Sequence, residues 1–214
     1  MLKRGLIIIN FKDYEEGIGK NAVKLAKELD NKDVWLVVNA IDLKDVIKNV
    51  KYSKVLIEHA DPVNEKIKDP HTGAITFKEV KESKAYGILL NHSEKRIKFI
   101  DIKKGIELGK RYKLKIIVSS NNLKEALKIN KLKPDYLAIE PPELISGNIS
   151  ISNAKPELIK SASKKIKNLI VGAGIHNKED VKTALKLGAK GILISSAIVK
   201  AKDPKNKLES LINN

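Results

Sequence analysis

Eight short runs of aliphatic and β-branched residues divide this chain, and amphipathic segments fill most of the gaps between them. The runs are LIIINF (6–11), VWLVVN (34–39), KVLIEH (54–59), YGILLN (86–91), KIIVSS (115–120), YLAIEP (136–141), LIVGAG (169–174) and GILISS (191–196). Nearly every position in them is apolar. Such strands belong in a parallel sheet covered on both faces, since a half-exposed strand alternates apolar with polar. Segments such as NAVKLAKEL (21–29), IDIKKGIELGKRY (100–112), NLKEALKI (122–129), PELIKSASKKI (156–166) and EDVKTALKLG (179–188) carry their apolar residues at helical spacing. Eight units in 214 residues average about 27 residues each, the size of a compact strand–helix repeat. No Gly/Ser linker or shift in composition interrupts them, so one domain over 1–214 is expected. The expected fold class is α/β, as a closed (β/α)8 barrel. A doubly wound open sheet is the alternative, because periodicity does not distinguish closed from open.

Composition excludes several function classes. There is no Cys, which removes disulfides, thiol catalysis and Cys-ligated zinc. Aromatics are only 4% of residues, so Ile, Val and Leu must fill the core. The formal charge of +16 raises the question of nucleic acid, but the only arginines are Arg4, Arg96 and Arg111. Arg is the residue suited to forked contacts with bases and phosphates. The lysines are spread along most helices, so a nucleic-acid partner is not expected; the positive field suits a small anionic substrate better. The run Leu6-Ile7-Ile8-Ile9 is too short for a signal peptide or a membrane span. A cytoplasmic protein with no membrane partner is expected.

In a barrel, functional groups gather at the C-terminal ends of the strands. Those ends here carry Asn10 and Lys12, His92, Glu140, Gly172-Ala173-Gly174 and Ser195-Ser196. Each has a plainer reading. His92 is also compatible with a backbone-bonded residue beside a helix start. Glu140 follows a buried strand, where desolvation would raise its pKa toward that of a useful base; a salt bridge to a lysine is the alternative. Gly172 and Gly174 fit a phosphate-cradling turn or merely a tight one. The residue three after Gly174 is Asn177, so this is not a dinucleotide fingerprint. Ser195 and Ser196 fall where barrels of this kind often hold phosphate. His59 and His71 lie near Asp61 and Asp69, but their spacing matches no metal-ligand pattern. No metal or cofactor is expected.

Together, Asn10-Phe11-Lys12, Asn91-His92-Ser93-Glu94, Ala138 to Ile145 (AIEPPELI), Gly172 to Ile175 (GAGI) and Val199 to Pro204 (VKAKDP) resemble the triosephosphate isomerase family, in its short archaeal form. The match covers nearly the whole chain in order. It implies a cofactor-free aldose–ketose isomerase that interconverts dihydroxyacetone phosphate and D-glyceraldehyde 3-phosphate in glycolysis and gluconeogenesis. It implies Glu140 as general base and His92 as electrophile. Lys12 would stabilise negative charge, with Glu94 as its ion-pair partner, and Asn10 would help position substrate. Phosphate would meet Ile145, Ser146, Gly172, Gly174, Ser195 and Ser196 as well as Asn10 and Lys12. A lid would span 141–150, and a homo-oligomer, tetramer or dimer, would be the working form. His92 is expected to open a helix whose positive end keeps the imidazole neutral.

The chain departs from the family pattern at three places. Ser146-Gly147-Asn148 replaces the usual Gly-Thr-Gly of the lid, Asn39-Ala40 ends the second strand, and the loop 60–73 is long. Two alternatives remain open at this level. One is another phosphate-binding barrel isomerase or aldolase, though the strand lysines Lys54 and Lys115 begin their strands. The other is a non-catalytic Lys-rich RNA-binding protein.

Overall fold

The computed structural model describes residues 5–64, 70–145, 147 and 149–212. Eight parallel strands close into a barrel: β1 (Leu6–Asn10), β2 (Val34–Val38), β3 (Lys54–Ile57), β4 (Gly87–Leu90), β5 (Lys115–Ser120), β6 (Tyr136–Ile139), β7 (Leu169–Gly172) and β8 (Gly191–Ile194). The seam that closes it pairs Leu6–Ile9 with Gly191–Ile194. The open-sheet alternative is therefore wrong. Most strands stop one or two residues before the apolar runs do, so His92, Glu140 and Ser195 lie just beyond the ladder.

A helix follows each strand: Gly19–Glu28, Leu43–Asn49, Phe77–Glu82, Phe99–Tyr112, Leu123–Asn130, Pro156–Ser163, Lys178–Lys186 and Pro204–Ile212. Their starts are written locally. Thr76 and Asn177 open reciprocal capping boxes with Glu79 and Asp180, and Asn122 accepts from the Glu125 N–H. Each cap satisfies donors that the first turn leaves without an intrahelical partner.

Two apolar shells hold the barrel. The outer one packs strand side chains such as Ile7, Ile9 and Val171 against the helices. The inner one fills the lumen with Ile8, Trp35, Val37, Leu56, Leu89, Ile117, Ala138, Ile170 and Leu193. Trp35 meets Tyr86 and Tyr136 edge-on at 4.9 and 5.3 Å, closing the end where the strands begin. Because strand side chains alternate faces, the next inward positions toward the strand ends are Asn10, Asn39, Glu58, Asn91, Ser119, Glu140, Gly172 and Ser195. A polar or small residue occupies every one of them. The lumen is thus apolar up to a fixed level and polar above it, and that boundary makes the floor of a site.

Candidate active site

Asn10, Lys12, His92, Glu140, Ile145, Gly174, Ser195 and Ser196 line one cleft at the strand ends. Ser146 lies outside the described residues. Gly172, expected to meet phosphate, is not among the residues that line this cleft. It ends β7 directly behind Glu140, and a Cβ there would fall 2.5 Å from Glu140 Oε1. The missing side chain makes room for the carboxyl. Gly172→Ala is accordingly expected to displace Glu140 and, with Glu140 as the expected base, to lower kcat by up to about 10²-fold, the scale of a 1 Å misplacement. Steady-state kinetics beside a melting curve checks this; an unchanged kcat in a folded variant would refute it.

Glu140 is 6% exposed. Burial pushes its carboxyl up to about 7; the Ser119 hydroxyl and Lys12 pull the other way, and Glu94 adds to the rise. Ser119 Oγ donates to Glu140 Oε2 at 3.2 Å. No motif singles out Ser119; the signal for it is a hydroxyl at the inward position of a strand end.

His92 Nε2 stands 3.8 Å from Glu140 Oε2. The backbone N–H of Glu94 donates to His92 Nδ1 at 3.3 Å. That bond assigns the ring proton to Nε2, so the imidazole presents its N–H to the cleft. Burial lowers the His92 pKa to about 4, helped by the Lys12 charge and opposed by Glu94. The expected helix at this point is absent. His92 is followed by a turn in which the Lys95 N–H donates to the His92 carbonyl at 2.9 Å, and the helix starts only at Phe99. Desolvation and a neighbouring cation, not a helix end, keep the ring neutral.

Lys12 Nζ is 3.1 Å from Glu94 Oε1. Its backbone is left-handed, φ 51, and its N–H donates to Asn10 Oδ1 at 3.2 Å. Asn91 (φ 60) and Ala173 (φ 76) share that strained conformation. Lys84, Lys113 and Lys133 do so in the turns beyond helices, but Lys12, Asn91 and Ala173 sit at the strand ends around the cleft. Non-glycine strain of this kind persists where surrounding structure enforces it.

Gly174 (φ +66) packs against Ile149, where a Cβ would fall 2.2 Å from the Ile149 carbonyl oxygen. Ser195 Oγ is committed elsewhere: it donates to the Asn10 carbonyl at 2.7 Å. The short helix Ser196–Val199 begins beside it. The N–H groups of Ser196 and Ala197 point from its first turn with no carbonyl four residues back to bond. Within the segment expected to form a lid, Pro142–Leu144 forms a 3-10 turn, and the Gly147 N–H donates to the Leu144 carbonyl at 3.1 Å. His176 Nε2 lies 2.7 Å from the Gly147 carbonyl oxygen and also lines the cleft. No motif in the sequence singles out His176. Asn148 lies outside the described residues, as does Asp69.

The remaining candidates are placed apart. His59 bonds Asp61 at 3.0 Å, and His71 reaches the Asn64 carbonyl at 3.3 Å. Among the described residues no group of three or more His, Asp or Glu is arranged to hold a metal. Lys54 and Lys115 begin β3 and β5, at the far end of the barrel, and Lys115 Nζ pairs with Asp135 at 2.8 Å.

Comparison with known proteins places this geometry. Two solved structures share the fold. They are thiamine phosphate pyrophosphorylase from Pyrococcus furiosus (TM-score 0.66, 20% identity, 98% of this chain and 94% of that one) and N-acetylmannosamine-6-phosphate 2-epimerase from Clostridium perfringens (TM-score 0.68, 18% identity, 97% and 92%). Sequence relatives say more. The triosephosphate isomerase of Methanothermus fervidus is 39% identical over 99% of both chains. That of Archaeoglobus fulgidus is 38% identical over 99% of both, and that of Methanocaldococcus jannaschii is 37% identical over 97% of this chain and 98% of its own. Residues 5–214 match the family as a whole, and the chain belongs to the triosephosphate isomerase family.

Proposed function

We propose that the cleft carries out the family's reaction with Glu140 as the base, His92 and Lys12 as the groups that meet negative charge, and the N–H groups near Gly174, Ser196 and Ala197 as the phosphate seat. The protein interconverts dihydroxyacetone phosphate and D-glyceraldehyde 3-phosphate. The reaction moves a proton between adjacent carbons. One base must reach both, and donors must face the oxygens of the enediolate. The observation that carries this reading is the pairing of a buried carboxyl with a neutral imidazole 3.8 Å away. Glu140 takes the proton from carbon in its ionised form. The Nε2–H of His92 then donates to the substrate oxygen that gains charge. Lys12, already held by Glu94, adds a full positive charge. The lid excludes water from the intermediate, and His176 supports its turn through the Gly147 carbonyl.

The pH dependence tests the pairing. Glu140 must lose its proton to act, and its pKa is raised to about 7. Below that value kcat/KM is expected to fall about tenfold per pH unit, once the substrate phosphate's own ionisation is corrected for. His92 changes charge only near 4, so no second acidic limb is expected between pH 5 and 7. A coupled assay with glyceraldehyde 3-phosphate across that range measures both; flat activity down to pH 5 would overturn the assignment of the base.

We further propose a homo-oligomer in the cytoplasm as the working form. Ile41 is 92% exposed beside a groove that includes Ile57, Ile75 and Val80, a surface suited to another protein chain. Sedimentation equilibrium decides this; a monomer at working concentration would refute it. Among the described residues no helix is long and apolar enough to cross a membrane.

A further inference from the structure

A second carboxyl stands at the level of Glu140. Glu58 follows β3 and occupies that strand's inward position in the polar ring, three strands away from Glu140 around the barrel. It opens on a chamber of about 270 Å³ shared with Asn10, Lys12, Asp13, His92 and Glu94. This chamber and the substrate cleft have Asn10, Lys12 and His92 as common wall. Glu58 Oε1 is buried there without a hydrogen-bond partner. An ionised carboxylate in that position is costly, because a buried acceptor with no donor forfeits its hydration.

We propose that Glu58 is a positioning residue acting through Lys12: uncharged, it leaves the ammonium to Glu94 and the substrate, and ionised, it draws on Lys12 and opposes the substrate's phosphate.

The surroundings agree with that division. Burial raises the Glu58 pKa to about 7, and Asp13 and Glu94 reinforce the rise. The Lys12 backbone N–H and the Lys12 charge lower it. Lys95 and His59 complete the titratable groups on the chamber wall. A dianionic ligand in the adjoining cleft repels the ionised form. Binding is therefore tightest where Glu58 holds its proton and weakens as pH rises through its folded pKa. Glu140 has the opposite sign on the rate, since it must lose its proton to work. The two carboxyls thus oppose each other near neutral pH, one limiting turnover on the acid side and the other limiting affinity on the alkaline side.

This inference rests on Lys12 meeting substrate, and the test keeps the two readings separable. In the native protein KM is expected to rise about fivefold between pH 7 and 9, the scale of one added charge acting through a solvated path at close range. In Glu58→Gln, which imitates the uncharged form, KM should stay flat over that range. A purely structural role would shift the melting temperature but leave the slope of KM with pH in place. An equal rise of KM in both proteins overturns the proposal. Should the variant fail to fold, calorimetric binding of sulfate to the native protein decides. Sulfate keeps both charges across the range, so its affinity must fall from pH 7 to 9, and constant affinity overturns the proposal. Absence of isomerase activity at every pH would instead count against the site assignment.

Discussion

Glu140→Gln is expected to cut kcat by about 10²–10⁴-fold, the usual worth of a general base, while leaving the barrel intact. Glutamine keeps the shape that Gly172 makes room for, and its amide can still meet the Ser119 hydroxyl. It removes the proton acceptor alone. The substitution also takes a costly charge out of a site that is 6% exposed, so the melting temperature should hold or rise. Loss of activity with unchanged or raised stability is the signature of a residue retained for chemistry at the expense of the fold. A kcat within a few-fold of the native value would remove Glu140 from the mechanism.

Lys12→Met carries the second large expectation. Methionine preserves most of the side chain's length and apolar stem but no charge. Removing one preorganised donor to a developing oxyanion typically costs about 10²–10³-fold in kcat, and a full charge beside a buried imidazole should act at least that strongly. Glu94 loses its partner, but it is 63% exposed, so water can solvate it and stability should change little. His92 would also feel less positive charge, and its pKa should move up from about 4. Kinetics together with histidine NMR titration read both effects. A variant with native kcat, or with an unmoved His92 titration, would show that Lys12 is not coupled to the site.

The barrel was legible because its strands are apolar at nearly every position and its turns recur at regular spacing. Strand ends were less so: Glu140 and Ser195 sit inside apolar runs, but the ladder ends before them. The segment NHSEKR looked like a helix start since it has capping and charged residues in the right order, yet the chain takes one more turn before Phe99. Residues whose use depends on register between strands were invisible. Ser119 matters because β5 and β6 align Ser119 with Ala138, which sets its hydroxyl beside Glu140 two residues on. Gly172 matters through the direction of an absent side chain. His176 and Glu58 lie close in sequence to motifs that were recognised, but nothing local says which way they point.

The bond from Ser195 Oγ to the Asn10 carbonyl joins residues 185 positions apart, at the same seam where β8 closes on β1. Joining such distant segments carries the largest loop-closure cost among the described contacts, and that cost must be met before the contact rewards it. Asn10 and Lys12 stand on one side of that seam and Ser195 and Ser196 on the other. The order of folding therefore bears on when the enzyme begins to work. A growing polypeptide that has made seven of its eight strands holds Glu140, His92 and Lys12 but has no closed ring around them, and the cleft they line is complete only with the last strand.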